Sequence, residues 1–223
     1  MKNWFTQKPL CFLANIGLNR HISLALILSL AGALAHAENT SFAILSAAKK
    51  LPSGHSIIAV AGNLHEEFEG RIAYLGVAKK TASDVVWKIG YFGYYPKQED
   101  GSRTEDHRLR GALSYTFKFD DWRLMHRSRL EYRMGQIPNG FRYRPAFELS
   151  RPLMINNIKI IPYAEVEPFY DFHQNQLSLT LFTAGIKWPI NPTFTLNIGH
   201  FNIFLNEANT HTKGPQVWLH IKL

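Results

Sequence analysis

Two kinds of side chain alternate, one by one, along stretches too long for ordinary soluble strands. Between 121 and 134 the odd positions include Arg123, Arg127, Arg129, Glu131 and Arg133. The even positions there are Leu124, His126, Ser128, Leu130 and Tyr132, with Trp122 at the start. Successive side chains of a strand point to opposite faces, so this segment has one charged face and one mostly apolar face. Neighbouring segments repeat the division. Arg108, Arg110, Ser114, Thr116 and Lys118 oppose Leu109, Leu113, Tyr115 and Phe117. Arg142, Arg144, Glu148 and Ser150 oppose Phe141, Tyr143, Phe147 and Leu149. Lys159, Tyr163, Glu165, Glu167 and Asp171 oppose Ile158, Ile160, Ala164 and Val166.

Two faces this different need two solvents. Arginine on a lipid-facing position costs ~2–4 kcal/mol near the bilayer midplane, so in a membrane barrel the charged face turns inward. A soluble barrel would invert the same strands, and alternation alone does not separate the two. Strand length does. Stretches of about 10 to 14 residues suffice for a tilted crossing, which needs ~9–11, whereas soluble strands average ~5–6.

Eleven candidate strands lie near 41–50, 55–66, 70–79, 84–95, 106–119, 121–134, 140–153, 157–171, 176–188, 193–205 and 215–223. Short connections at 120–121, 155–157 and 189–192 alternate with more polar ones at 96–105, 135–140, 171–176 and 206–215. Trp87, Trp122 and Trp188 sit by the short connections, and Tyr94, Tyr95, Phe141, Tyr143, Tyr170 and Phe172 by the others, as two interfacial girdles would require. The pattern predicts an all-β fold, an antiparallel up-and-down transmembrane β-barrel of 10–12 strands. Bacterial barrels usually have even strand counts, so ten or twelve is expected. Ten follows if 41–50 does not cross.

Residues 1–37 are set apart. Lys2, Lys8 and Arg20 precede an apolar run from 22 to 34, and Ala35-His36-Ala37 supplies the small residues of a cleavage site. This is the form of a secretory signal, with 38–223 the exported barrel domain. The chain's single cysteine, Cys11, leaves with it, so no disulfide framework or cysteine-ligated metal site remains. Of 25 basic and 17 acidic residues, three basic ones lie in that segment. The remaining basic residues alternate with apolar ones in an exported chain, which argues against nucleic acid. The expected location is the outer membrane of a Gram-negative cell, with outer-membrane lipid and the barrel-insertion machinery as partners.

The candidate site is a charge ladder facing the lumen: Arg127, Arg129, Glu131, Arg133, Arg142, Arg144, Glu148, Glu165 and Glu167. Charge pairing suggests a register. Arg133 would face Arg142, Glu131 would face Arg144, Arg127 would face Glu148, and Arg144 would stand opposite Glu167 or Glu165. Excess positive charge in a narrow lumen favours anions, so passage or binding of a small anionic solute is one reading. A structural or assembly-partner barrel without transport is another. A lipid A or phospholipid hydrolase is a third. His126 and Ser128 share one face, and their spacing resembles the pair of the lipid A deacylases. The Asn-Ala that follows the serine in those proteins is absent, and no orienting carboxylate is evident. No catalytic residue is assigned, and no metal or cofactor is expected, because the histidines lack ligand spacing and Gly-rich phosphate loops are absent.

The runs His126-Arg127-Ser128-Arg129-Leu130-Glu131-Tyr132-Arg133 and Phe141-Arg142-Tyr143-Arg144-Pro145 resemble the hallmark of the domain of unknown function 2490 family. The segment Pro162-Tyr163-Ala164-Glu165-Val166-Glu167-Pro168-Phe169-Tyr170-Asp171 is similar to that family's downstream motif. The resemblance is clear over 120–223 and weaker over 41–119. It implies an exported outer-membrane barrel and no reaction. His126 and Ser128 fall outside the shared pattern and inherit no role from it.

Overall fold

Long strands joined by tight reversals leave one economical way to satisfy every backbone group, which is to close the sheet on itself. The computed structural model describes residues 40–65, 69–81, 84–98, 100–135, 139–206 and 209–223. Twelve strands follow one another: β1 (Phe42–Lys50), β2 (His55–Leu64), β3 (Gly70–Lys80), β4 (Val86–Pro96), β5 (Asp106–Phe119), β6 (Trp122–Gly135), β7 (Gly140–Ser150), β8 (Leu153–Ile155), β9 (Ile158–Asp171), β10 (Gln176–Pro189), β11 (Phe194–Leu205) and β12 (Thr210–Lys222). Eleven of them form the ring. The three-residue β8 pairs only with the start of β9, as a hairpin projecting past the barrel. The segment 1–37 lies outside the described residues. No described helix is long and apolar enough to cross a membrane.

The ring holds eleven strands, not ten or twelve, and is not wholly antiparallel. Each connection reverses the chain, so with an odd count the first and last strands run the same way. They meet as one parallel seam, from Phe42 opposite Gln216 to Ala48 opposite Lys222. Parallel pairs are slightly weaker per residue, and side chains reinforce this one. Ser46 is bonded to His220 Nδ1 at 2.7 Å and accepts from Trp218 Nε1 at 2.7 Å. Phe42 stacks on Phe201 with centroids 3.9 Å apart. β12 also starts five residues earlier than the pattern suggested. Lys213-Gly214-Pro215 hides the alternation, and Pro215, which has no N–H to donate, falls just before the parallel pairing begins at Gln216.

Gly214 is required at the seam, because an added Cβ would lie 1.5 Å from the Thr40 carbonyl oxygen. Gly214→Ala should therefore weaken the barrel by ~1–3 kcal/mol, as overpacking does, and should speed hydrogen exchange of the β1 amides. Unchanged stability with unchanged exchange would show that the chain at Thr40 simply moves aside.

The turns follow local chemistry. Asn156 (φ 47°) and Asn157 (φ 65°) both adopt the left-handed conformation between β8 and β9, the demand of a type I′ hairpin that asparagine meets well. Asp120 (φ 50°) does the same between β5 and β6. The short connections 51–54, 81–85, 120–121, 151–157 and 190–193 gather at one end of the ring, here the short-turn end.

Register fixes the two faces. Even positions of β1 to β5, odd positions of β6, even positions of β7 and odd positions of β9 point inward. Away from the short-turn end, the inward wall formed by β1 and β11 is apolar, with Phe42, Phe201 and Ile203 packed there. The wall formed by β5, β6, β7 and β9 is charged. Outward positions carry large apolar side chains that remain exposed: Leu75 (61%), Ile89 (65%), Leu109 (53%) and Leu113 (56%) among others.

Candidate functional site

The charged wall is one connected network. Its centre is Glu131, on the inward side of β6 and fully buried. Arg144 on β7 donates from Nη1 to Glu131 Oε1 at 2.9 Å and from Nη2 to Glu167 Oε2 at 2.9 Å, bridging β6 to β9. Arg110 Nε on β5 lies 2.6 Å from Glu131 Oε1, and Arg108 Nη1 lies 3.4 Å from Oε2. Arg129 approaches Glu131 and Glu167 at 3.9 and 3.6 Å. Arg127 reaches Glu167 at 3.0 Å and Glu165 at 3.5 Å.

Nearer the other end of the barrel the same network continues through two aspartates. Asp106 binds Arg108 with both carboxylate oxygens, at 2.5 and 3.0 Å, and Arg133 at 3.2 Å. Asp171 receives Arg133 at 3.4 Å and Arg142 at 3.2 Å. Seven arginines and five carboxylates are thus tied together, with Arg108 joining the two halves. Two guanidinium planes also lie over rings, Arg110 over Phe92 at 3.4 Å and Arg144 over Phe169 at 3.7 Å from the centroid. Cation–π contact of this kind is worth more where water is excluded.

Of the nine residues singled out in the sequence, eight join this network. Glu148 stands apart and is held by Lys187 Nζ at 2.5 Å. The expected registers are corrected. Glu131 faces Arg142, Arg129 faces Arg144, Arg133 faces Gly140 and Glu148 faces Met125, a shift of two residues between β6 and β7. Between β7 and β9, Arg142 faces Asp171 and Glu148 faces Glu165, so neither expected partner stands directly opposite Arg144. Direct opposition was the wrong criterion. An arginine reaches diagonally to j±2, and Arg144 finds Glu131 and Glu167 that way. Asp106, Arg108, Arg110 and Asp171 belong to the same network and were left out of the candidate set. Their parity on β5 and β9 was the available signal. Lys187 was not legible, being a lone cation in an otherwise uncharged strand.

On the outward face His126 Nε2 lies 3.0 Å from Ser128 Oγ, which lies 3.0 Å from the Tyr143 hydroxyl. His126 stacks on Phe147, and its Nδ1 is buried without a hydrogen-bond partner. The pair is brought together, but among the described residues no carboxylate orients it. Among the described residues no three His, Cys, Asp or Glu side chains are grouped as a metal site would require.

Fold and site together define a closed mixed β-barrel whose interior is an arginine–carboxylate network. Residues 62–213 match the family model described as "Protein of unknown function (DUF2490)", and the chain belongs to that family. The match takes in β3 to β5, where the sequence resemblance was weak. No curated protein matches the chain.

Proposed function

We propose that this barrel spans the outer membrane with its lumen shut by the arginine–carboxylate network, and that it works by what it holds at its surfaces and mouths rather than by free diffusion. The observation carrying the membrane placement is the inverted polarity. Outward side chains such as Ile89 and Leu113 are large, apolar and exposed, while Glu131 and Glu167 are buried inside. A water-soluble barrel would not leave so much apolar surface uncovered. Export through a cleaved 1–37 segment, and insertion by the outer-membrane machinery, accompany this reading.

Closure follows from the size of the ring and what fills it. Barrels of about 8 strands are filled by side chains, and those of 16–18 leave a channel. Eleven strands stand nearer the first, and paired arginines with Phe42, Phe92, Phe169 and Phe201 occupy the interior. Reconstituted in a planar bilayer, the folded protein should give no resolved conductance steps. Stable, anion-selective steps altered by Arg144→Ala would overturn the closed reading in favour of solute passage, which the excess of arginines over carboxylates favours as the second reading.

The hydrolase reading is not adopted. Ser128 lies six positions along β6 from Trp122, about 14 Å from the short-turn end at ordinary strand rise and tilt. That is near the middle of a ~30 Å hydrocarbon layer, where hydrolytic water is scarce. The imidazole–hydroxyl–phenol chain instead gives the Ser128 and Tyr143 hydroxyls and His126 Nε2 a partner on a lipid-facing wall.

A further inference from the structure

The short-turn mouth has a charge pattern that the network does not account for. Besides Lys80 and Lys187, which hold carboxylates, the inward-facing cations within two residues of that end include Lys50 on β1, Lys88 on β4, Lys118 on β5, Arg123 on β6 and Lys222 on β12. None of these five has a carboxylate partner among the described residues, and all but Lys88 are exposed. Lys118 and Arg123 are directly opposite each other across β5 and β6, a like-charge pair. His220 lies within electrostatic reach of both Lys88 and Lys222, so these two cations face one space.

Nearby carboxylates are mostly committed elsewhere. Glu148 holds Lys187, and Asp121 holds Arg151 at 3.1 Å. Asp84 accepts from Lys80 at 2.5 Å, and that bond keeps its carboxyl below the ordinary carboxylate range, so it stays ionised and paired. Asp120 remains, in the turn itself. A cleft of about 280 Å³ opens there between Lys118 and Arg123, with Asp120 and the Arg151-bound Asp121 at its rim and Trp122 and Pro152 as its apolar walls.

Like charges facing one another across strands are destabilising, by up to ~1 kcal/mol a pair. A ring that concentrates them in a dead-end cup makes physical sense where a counter-ion sits. We propose that the short-turn mouth is a binding site for a compact, soluble, multiply charged anion of the phosphate class, with the arginine–carboxylate network as its floor. The floor rests on the closed lumen of the reading above. Four of the five cations are lysines, point charges suited to tetrahedral phosphate rather than to the planar fork of a single carboxylate. They point into the mouth, whereas Lys49 and Lys79 at the same end point outward, which favours a soluble occupant over a lipid headgroup.

The test is calorimetric titration of tripolyphosphate into the folded barrel, extracted in a non-ionic detergent, at fixed ionic strength. Lys118→Gln with Arg123→Gln removes a repulsive pair, so folding is preserved, and binding should weaken about tenfold, as loss of two close charges at solvent-like dielectric implies. Lys49→Gln with Lys79→Gln should leave it unchanged. No binding to the folded protein, or equal loss in both double variants, overturns the proposal. Capture of phosphatidylglycerol vesicles that depends on Lys49 and Lys79, with no tripolyphosphate binding, overturns it in favour of a lipid contact. Conductance recorded on the same preparation judges the closed floor separately, because the titration reports on the mouth whether or not current flows.

Discussion

Glu131→Gln should cost the barrel about 3–5 kcal/mol, because it strips the charge from a fully buried carboxylate shared by Arg108, Arg110 and Arg144. The glutamine keeps the shape, so the loss is electrostatic. Three guanidinium groups within 3.4 Å lose their common counter-charge, and Arg129 at 3.9 Å loses part of its own. A buried ion pair gains little over well-packed apolar groups, but removing one partner leaves the other uncompensated, and that cost dominates here. Unfolding in urea with the barrel in detergent measures it. Pairing the change with Arg144→Met should recover part of the loss, as coupled neighbours do. Breaking the Lys187–Glu148 pair should cost much less, because the lysine side chain is 29% exposed and solvent screens the contact. Equal effects at Glu131 and Glu148 would mean that the network has no special role in stability.

That network explains which parts of the structure could be read from sequence. Faces were legible because period two is local. Arg127, Arg129, Glu131 and Arg133 share a side of β6 whatever their neighbours do. Register was not, because it depends on how diagonal contacts and connections balance around a whole ring. The like-charge opposition of Arg129 and Arg144 is tolerated only because Glu131, two residues along β6, and Glu167, on β9, flank it. Strand parity failed for a related reason. The parallel seam between β1 and β12 joins residues separated by about the whole barrel, and nothing local in Phe42 or Gln216 announces the pairing. The lysines of the mouth were individually visible but too scattered along the chain to suggest a cluster. Lys50 and Lys88 end one row three strands apart, and only ring closure at the β1–β12 seam brings Lys222 next to the strand of Lys50.

The outward face gives the sharpest test of where the barrel resides. Leu113, midway along β5, points outward, is 56% exposed and faces Ser128 across the β5–β6 pair. If lipid covers that position, Leu113→Arg should destabilise the protein by about 2–4 kcal/mol in bilayers, since a guanidinium near the midplane must be dehydrated or drag water and headgroups inward. The same change at Ile57, outward and 41% exposed but beside the short-turn end of β2, should be nearly silent, because charge near the interface costs ~0–1 kcal/mol. In a barrel standing in water the expectation reverses. An exposed leucine exchanged for arginine on a soluble surface shifts stability by ~0.5 kcal/mol or less, and solubility would improve. Refolding into lipid vesicles, read as the free energy of unfolding for wild type, Leu113→Arg and Ile57→Arg, therefore separates the two solvents. A neutral Leu113→Arg would remove the membrane placement and leave the interior network as the core of a water-soluble barrel. A depth-dependent penalty would fix which face meets lipid, and with it why the arginines had to be paired inside.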